Sequence, residues 1–252
     1  EEGKPKPEKS KPGNLYQYIP LTDSEMSKPG PSVPKEAKVY AWEPVKTVCQ
    51  TRPECCHDRE IKHVAFDADH TIWNTGNVIA SSITGKLCKI DDNTMIEIGR
   101  NGTCPAENYS AKSLEEIAED IKKEPPGKTP ESNVLTTIKL MPTFRQTLDE
   151  LEKRGITRSI ISLNTPGSVS RILKEFCLAD KFVDIRDSWE NKGKVFSEQV
   201  KKLGVCPCDA LFVDDRRDQV EDVTAKGGIG IQIGKDKDII EPIEILKLIR
   251  EK

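Results

Sequence analysis

The chain has 252 residues, 35% hydrophobic and 32% charged, which supports one soluble domain with a small appendage. Lys and Arg number 39 against 42 Asp and Glu, a net charge of -3, so the broad positive field of a non-specific nucleic-acid binder is absent and no nucleic-acid partner is expected. No apolar run approaches the roughly 18 residues of a membrane span, and no signal-peptide series is present, which makes the cytoplasm the expected compartment.

Nine of the 17 prolines fall within residues 1–53, and the opening EEGKPKPEKSKPG alternates charge with proline. Such a segment has little apolar surface to offset the entropy of ordering, so residues 1–35 read as a disordered Pro/Lys-rich arm. Tyr40, Trp42 and Val45 bring apolar surface back, and residues 36–60 read as an N-terminal extension of the domain that follows. Cys49, Cys55, Cys56 and His57 lie close together, but no second half with zinc-ligand spacing follows them. Eight cysteines, with Asn101-Gly102-Thr103 and Asn108-Tyr109-Ser110 matching the glycosylation acceptor pattern, keep an exported protein as the alternative.

The texture changes at Ile61. His63 to Phe66 is a short apolar strand that ends in Asp67-Ala68-Asp69. Residues 76–104 carry β-like runs (NVIASSITG, KLCKI, TMIEIG) punctuated by Gly85 and Gly102, which predict one or two hairpins. A capping box at Ser113 and Glu116 predicts a helix to about Lys123, stopped by Pro125-Pro126-Gly127. Residues 76–135 thus form an insertion, either a flap over the site or a packed decoration.

Strict alternation follows. Helices are predicted after Pro142-Thr143, after Thr165-Pro166, over Gly193 to Leu203, over Gln219 to Ala225 and from Pro242, with strands at Arg158–Ser162, Phe182–Ile185, Ala210–Val213 and Ile229–Ile233. This order predicts an α/β fold, a doubly wound, Rossmann-like parallel sheet covered on both faces. Ligands of such sheets bind beyond the carboxyl ends of the strands.

Four polar signals share that address: Asp67 and Asp69, Ser162, Lys192 with neighbouring Lys194 equally eligible, and Asp214-Asp215. Each alone has a plain explanation as a solvated turn or surface residue. Occurring in order and in the right α/β phase, they mark a site. Two carboxylates at one strand end and a third from another form a hard-oxygen centre suited to Mg²⁺. A lysine and a hydroxyl would hold a phosphoryl group, leaving one carboxylate to attack phosphorus.

VAFDADHTIW resembles the first motif of the haloacid dehalogenase superfamily, and its Trp73 ending is similar to the magnesium-dependent phosphatase-1 family within it. RSIISLNTP resembles motif two, NKGKVF motif three and LFVDDRRDQ motif four, so the likeness covers residues 61–73 and about 138–235. The resemblance implies Asp67 as nucleophile and metal ligand, and Asp69 as general acid/base lending its carbonyl to the metal. It implies Ser162 and Lys192 on the phosphoryl group, and Asp215, with Asp214 beside it, as the further metal ligand. Thr71 would support the loop at the substrate, and Leu163-Asn164 stand where an arginine is expected, which places Asn164 among the candidate substrate-binding residues. The implied activity is a Mg²⁺-dependent phosphomonoester hydrolase acting on a phosphorylated small molecule or a phosphoprotein. The alternatives are a phosphotransferase of the same superfamily and a non-catalytic phosphate-binding or signalling module.

Overall fold

The computed structural model describes residues 60–100, 102, 104, 116 and 134–249, all within the unit Ala41–Lys252. The arm, nearly all of the extension, the Cys49–His57 cluster and most of the helix expected after Ser113 lie outside these residues.

A five-stranded parallel sheet forms the body. It contains β1 (His63–Phe66), β6 (Thr157–Ser162), β7 (Asp184–Asp187), β8 (Ala210–Asp214) and β9 (Ile229–Gln232), in the order β7-β6-β1-β8-β9. Every residue of the central strand β1 is buried, as a strand covered on both faces requires. Side chains alternate between two cores. Val64, Phe66, Leu211 and Val213 face a large cluster with Phe144, Leu148, Ile172 and Leu173. Ala65 and Phe212 face a smaller one with Val195, Phe196 and Val223. Helix α1 (Phe144–Lys153) and helix α2 (Ser168–Glu175) supply the first face, while α3 (Lys192–Lys202) and α4 (Arg217–Thr224) supply the second. The sheet is therefore doubly wound, as expected.

On α1, Phe144, Thr147, Leu148 and Leu151 are buried, the i, i+3, i+4, i+7 stripe of an amphipathic helix. Phe144 meets Phe66 edge-on with centroids 5.6 Å apart, locking α1 to the strand that ends at the site. Gly193, in the first turn of α3, lets that helix approach α4: a Cβ there would sit 2.7 Å from the Asp222 carbonyl oxygen.

The insertion builds a second, antiparallel sheet in the order β2-β5-β4-β3, from β2 (Trp73–Asn74), β3 (Lys86–Lys89), β4 (Thr94–Ile98) and β5 (Val134–Leu140). KLCKI and TMIEIG form the β3–β4 hairpin, whereas NVIASSITG contains a single 3₁₀ turn at Ala80–Ser82 instead of a strand. Both flanks of the insertion are strands, since β2 precedes it and β5 runs past its expected end at 135. A disulfide joins Cys88 of β3 to Cys104. The last helix expected from Pro242 is a 3₁₀ segment, Pro242–Leu248, opened by a capping box between Glu241 and Glu244.

Candidate active site

The singled-out residues other than Lys194 meet at the carboxyl edge of the parallel sheet, where Thr71 braces the loops. Asp67 follows β1, Ser162 closes β6, Asp214 closes β8 with Asp215 after it, and Lys192 opens α3. The order of strands explains the meeting: β6 and β8 both pair with β1 in parallel register, so their ends converge on Asp67.

Lys192 settles the choice between the two lysines. Its Nζ lies 2.7 Å from Asp67 Oδ1 and 2.6 Å from Asp214 Oδ2, with the side chain 2% exposed. Lys194 is exposed and pairs with Glu190 at 2.7 Å. Burial works against the charge on Lys192, but Asp67 and Asp214 outweigh it and hold its pKa above the ordinary lysine value. Asp214 is fully buried, and burial together with the charge of Asp67 pushes its pKa well up despite Lys192. Its second oxygen, Oδ1, accepts from the Arg216 backbone N–H at 2.8 Å. Burial, then Asp67, raises Asp215 likewise.

One carboxylate oxygen from each of Asp67, Asp214 and Asp215 lies within 4.8 Å of the others. Three carboxylates face one buried lysine, so the cluster carries surplus negative charge and only hard oxygen donors, which fits a divalent cation such as Mg²⁺. Because Asp214 already engages both Lys192 and Arg216, Asp215 is the freer of the pair. Thr71 is fully buried, and its Oγ1 accepts from the Asp215 N–H at 3.1 Å. It ties the loop after β1 to the loop after β8, the loop-supporting place expected of it.

Asp69 faces the insertion. Its Oδ1 accepts from Trp73 Nε1 at 2.8 Å, both of its oxygens accept from Ala80 N at 3.1 Å, and its Oδ2 accepts from Asn164 Nδ2 at 2.9 Å. Asn164, 1% exposed, also donates to Ser162 Oγ at 2.9 Å and accepts from Ser81 N at 2.9 Å. Its amide is thus engaged at both ends within the protein. Because Ser162 Oγ accepts from Asn164, its hydroxyl proton remains to be donated. Sequence reasoning missed Ala80 and Ser81, whose contribution is main-chain N–H and leaves no mark on residue type. It also missed Arg171 of α2, which donates to the Ile83 carbonyl and, at 2.9 Å, to the Gly85 carbonyl, pinning the insertion to the body.

A family model described as haloacid dehalogenase-like hydrolase matches residues 64–233, an interval that spans every one of these side chains. The chain belongs to that family. No curated protein matches the sequence. Among solved structures, this haloacid dehalogenase-like chain is similar to a predicted phosphoglycolate phosphatase from Haemophilus somnus, with TM-score 0.46 and 16% identity over 75% of this chain and 97% of that one. It is also similar to a subfamily IA hydrolase of the superfamily from Geobacter sulfurreducens, with TM-score 0.44 and 16% identity over 75% and 96%. A third is the N-terminal part of a Bacteroides fragilis protein containing a phosphatase domain complexed with Mg, with TM-score 0.42 and 15% identity over 77% of this chain and 40% of that one. Among the described residues, no helix is long and apolar enough to cross a membrane.

Proposed function

We propose that this haloacid dehalogenase-like hydrolase is a Mg²⁺-dependent phosphomonoester hydrolase that works through an aspartyl-phosphate on Asp67. The observation that carries the reading is the clamp of buried Lys192 between Asp67 and Asp214, with Asp215 closing the cluster. A substrate phosphate arriving at this edge meets the Lys192 ammonium and the free O–H of Ser162. The Asp67 carboxylate, oriented by Lys192, attacks phosphorus. The P–O bond to the leaving group breaks, and Asp69 gives that oxygen a proton. Asp69 then takes a proton from water as its oxygen attacks the acyl phosphate, releasing inorganic phosphate and restoring Asp67. Asp67, Asp215, Asp214 and the Asp69 carbonyl would hold Mg²⁺, whose chemistry is neutralisation of charge between the phosphate and the carboxylates.

The same residues serve a phosphotransferase. Asp69 would deprotonate water in the hydrolase and an acceptor hydroxyl in the transferase, so the acceptor alone distinguishes them. The Cys88–Cys104 disulfide supports the exported alternative for the compartment.

The test is a panel of phosphomonoesters, small molecules and phosphopeptides included, assayed with and without Mg²⁺ for wild type and Asp67→Asn. Release of phosphate that requires Mg²⁺ and falls by several orders of magnitude in the variant is expected. Retention of more than about a tenth of the wild-type rate by Asp67→Asn removes Asp67 as nucleophile.

A further inference from the structure

Asn164 joins three parts of the molecule that have different duties. One amide nitrogen donates to Asp69 Oδ2 and to Ser162 Oγ, each at 2.9 Å, and the amide oxygen accepts from the Ser81 N–H at 2.9 Å. Ser162 closes β6 and Asp69 stands on the loop after β1, while Ser81 belongs to the 3₁₀ turn of the insertion. The two bonds donated by Asn164 are buried and the one from Ser81 is partly so. Asn164 is 1%, Ser162 2% and Asp69 7% exposed, so competition from solvent is weak and each bond fixes geometry. The Ala80 N–H, next to Ser81, reaches Asp69 directly. The turn therefore seats on the body through two adjacent main-chain donors, one on Asp69 and one on Asn164.

We propose that Asn164 is a positioning residue: it links the seating of the insertion's Ala80–Ser82 turn to the aim of the Asp69 carboxyl group. It touches neither phosphorus nor leaving group. With the turn seated, Asn164 is held by Ser81, and its Nδ2 fixes Asp69 Oδ2 relative to Ser162, which fronts the phosphate. Without Asn164, Asp69 keeps Trp73 and Ala80 but loses its tie to β6, and the turn loses the anchor at Ser81. The insertion is on this account part of the proton-transfer apparatus, and its seating is felt in steps that need Asp69 and little in steps that do not.

The inference rests on the hydrolase reading above, and the experiment separates the two. Wild type, Asn164→Ala and Asn164→Asp are assayed with Mg²⁺ on phenyl phosphate and para-nitrophenyl phosphate, which are alike in shape. Phenolate leaves poorly without a proton, whereas nitrophenolate leaves well. Both variants are expected to lose about 30-fold in kcat on phenyl phosphate and about threefold on para-nitrophenyl phosphate, a fraction of the full contribution of a general acid. Amide hydrogen exchange at Ser81 is expected to accelerate in Asn164→Ala and to stay protected in Asn164→Asp, which keeps an acceptor oxygen in that place. Asn164→Asp has the volume of the original side chain and carries the kinetic test should Asn164→Ala fail to fold. Equal losses on the two substrates, or unchanged Ser81 exchange in a folded Asn164→Ala, overturn the assignment. Absence of wild-type hydrolysis of both substrates overturns the parent reading instead.

Discussion

The Trp73 indole N–H donates to the Asp69 carboxylate across 2.8 Å, from the start of β2 to the loop after β1, with Trp73 fully buried. Trp73→Phe keeps most of the apolar packing and removes this donor, leaving Ala80 and Asn164 to hold the group. The expected outcome is a loss of about tenfold in kcat on phosphomonoesters with basic leaving groups, with KM nearly unchanged, because the proposed mechanism assigns phosphate binding to Lys192 and Ser162. A rise in KM with kcat preserved would place Trp73 in substrate binding.

Asp69→Asn retains the shape of the group and loses its capacity to carry a proton. With an activated aryl phosphate the first step needs no acid, so the phenol is released once and the phosphate remains on Asp67. Mass spectrometry of quenched enzyme should show the added phosphoryl mass on the peptide containing Asp67. Steady turnover without that species would assign Asp69 another duty.

Lys192→Met fills the volume and deletes the charge. Asp214 would then lose its cation while keeping the Arg216 N–H and remaining fully buried beside Asp67. Leaving a buried carboxylate without its cation costs about 3–5 kcal/mol, so urea denaturation in the absence of divalent metal should show a fall of that size. A change under about 1 kcal/mol would mean that the carboxylates do not depend on Lys192.

The Cys88–Cys104 disulfide closes a segment with a sequence separation of 16 beside a small apolar cluster of Cys88, Ile90, Ile96 and Ile98. A loop of this length is stabilised by about 3 kcal/mol through the cross-link. Reduction, or Cys88→Ala with Cys104→Ala, should therefore raise hydrogen exchange and proteolysis in the β3–β4 hairpin while the parallel sheet stays protected. Uniform protection with and without reductant would show that the four-residue cluster suffices.

His63 gives stability a defined dependence on pH. Its ring nitrogens lie 2.8 Å from Thr157 Oγ1 and 2.8 Å from Ser159 Oγ, and burial lowers its pKa from 6.5 to about 4, with Asp184 opposing weakly. The unfolded chain takes up the proton first as pH falls, so acid favours unfolding. Stability is unaffected above 6.5 and declines between 6.5 and about 4. The full decline amounts to about 3 kcal/mol. His63→Gln should flatten denaturation midpoints across that window, and an unchanged slope would show that other groups govern it.

The alternation of strands and helices was readable because buried parallel strands and amphipathic helices have distinct periods. The edge that gathers Asp67, Ser162, Lys192 and Asp214 followed from it. Boundaries moved by a few residues: β7 begins at Asp184 instead of Phe182, and α4 begins at Arg217 instead of Gln219. The contacts of Asn164 were not readable, because an amide beside a site looks the same whether it faces a ligand or a neighbouring loop. Short apolar runs also mislead: NVIASSITG alternates like a strand, yet Ala80–Ser82 turns so that two successive N–H groups point at the body.

Those two N–H groups have an evolutionary corollary. A main-chain donor is supplied by any residue except proline, so the link between insertion and catalytic edge makes no demand on the side chain at 81, while at 80 burial in the core restricts it to a small apolar one. The outer surface of the insertion can thus drift toward new substrates while its wiring to Asp69 and Asn164 is inherited unchanged. Substitution by proline is the one point change at either position that deletes a donor outright.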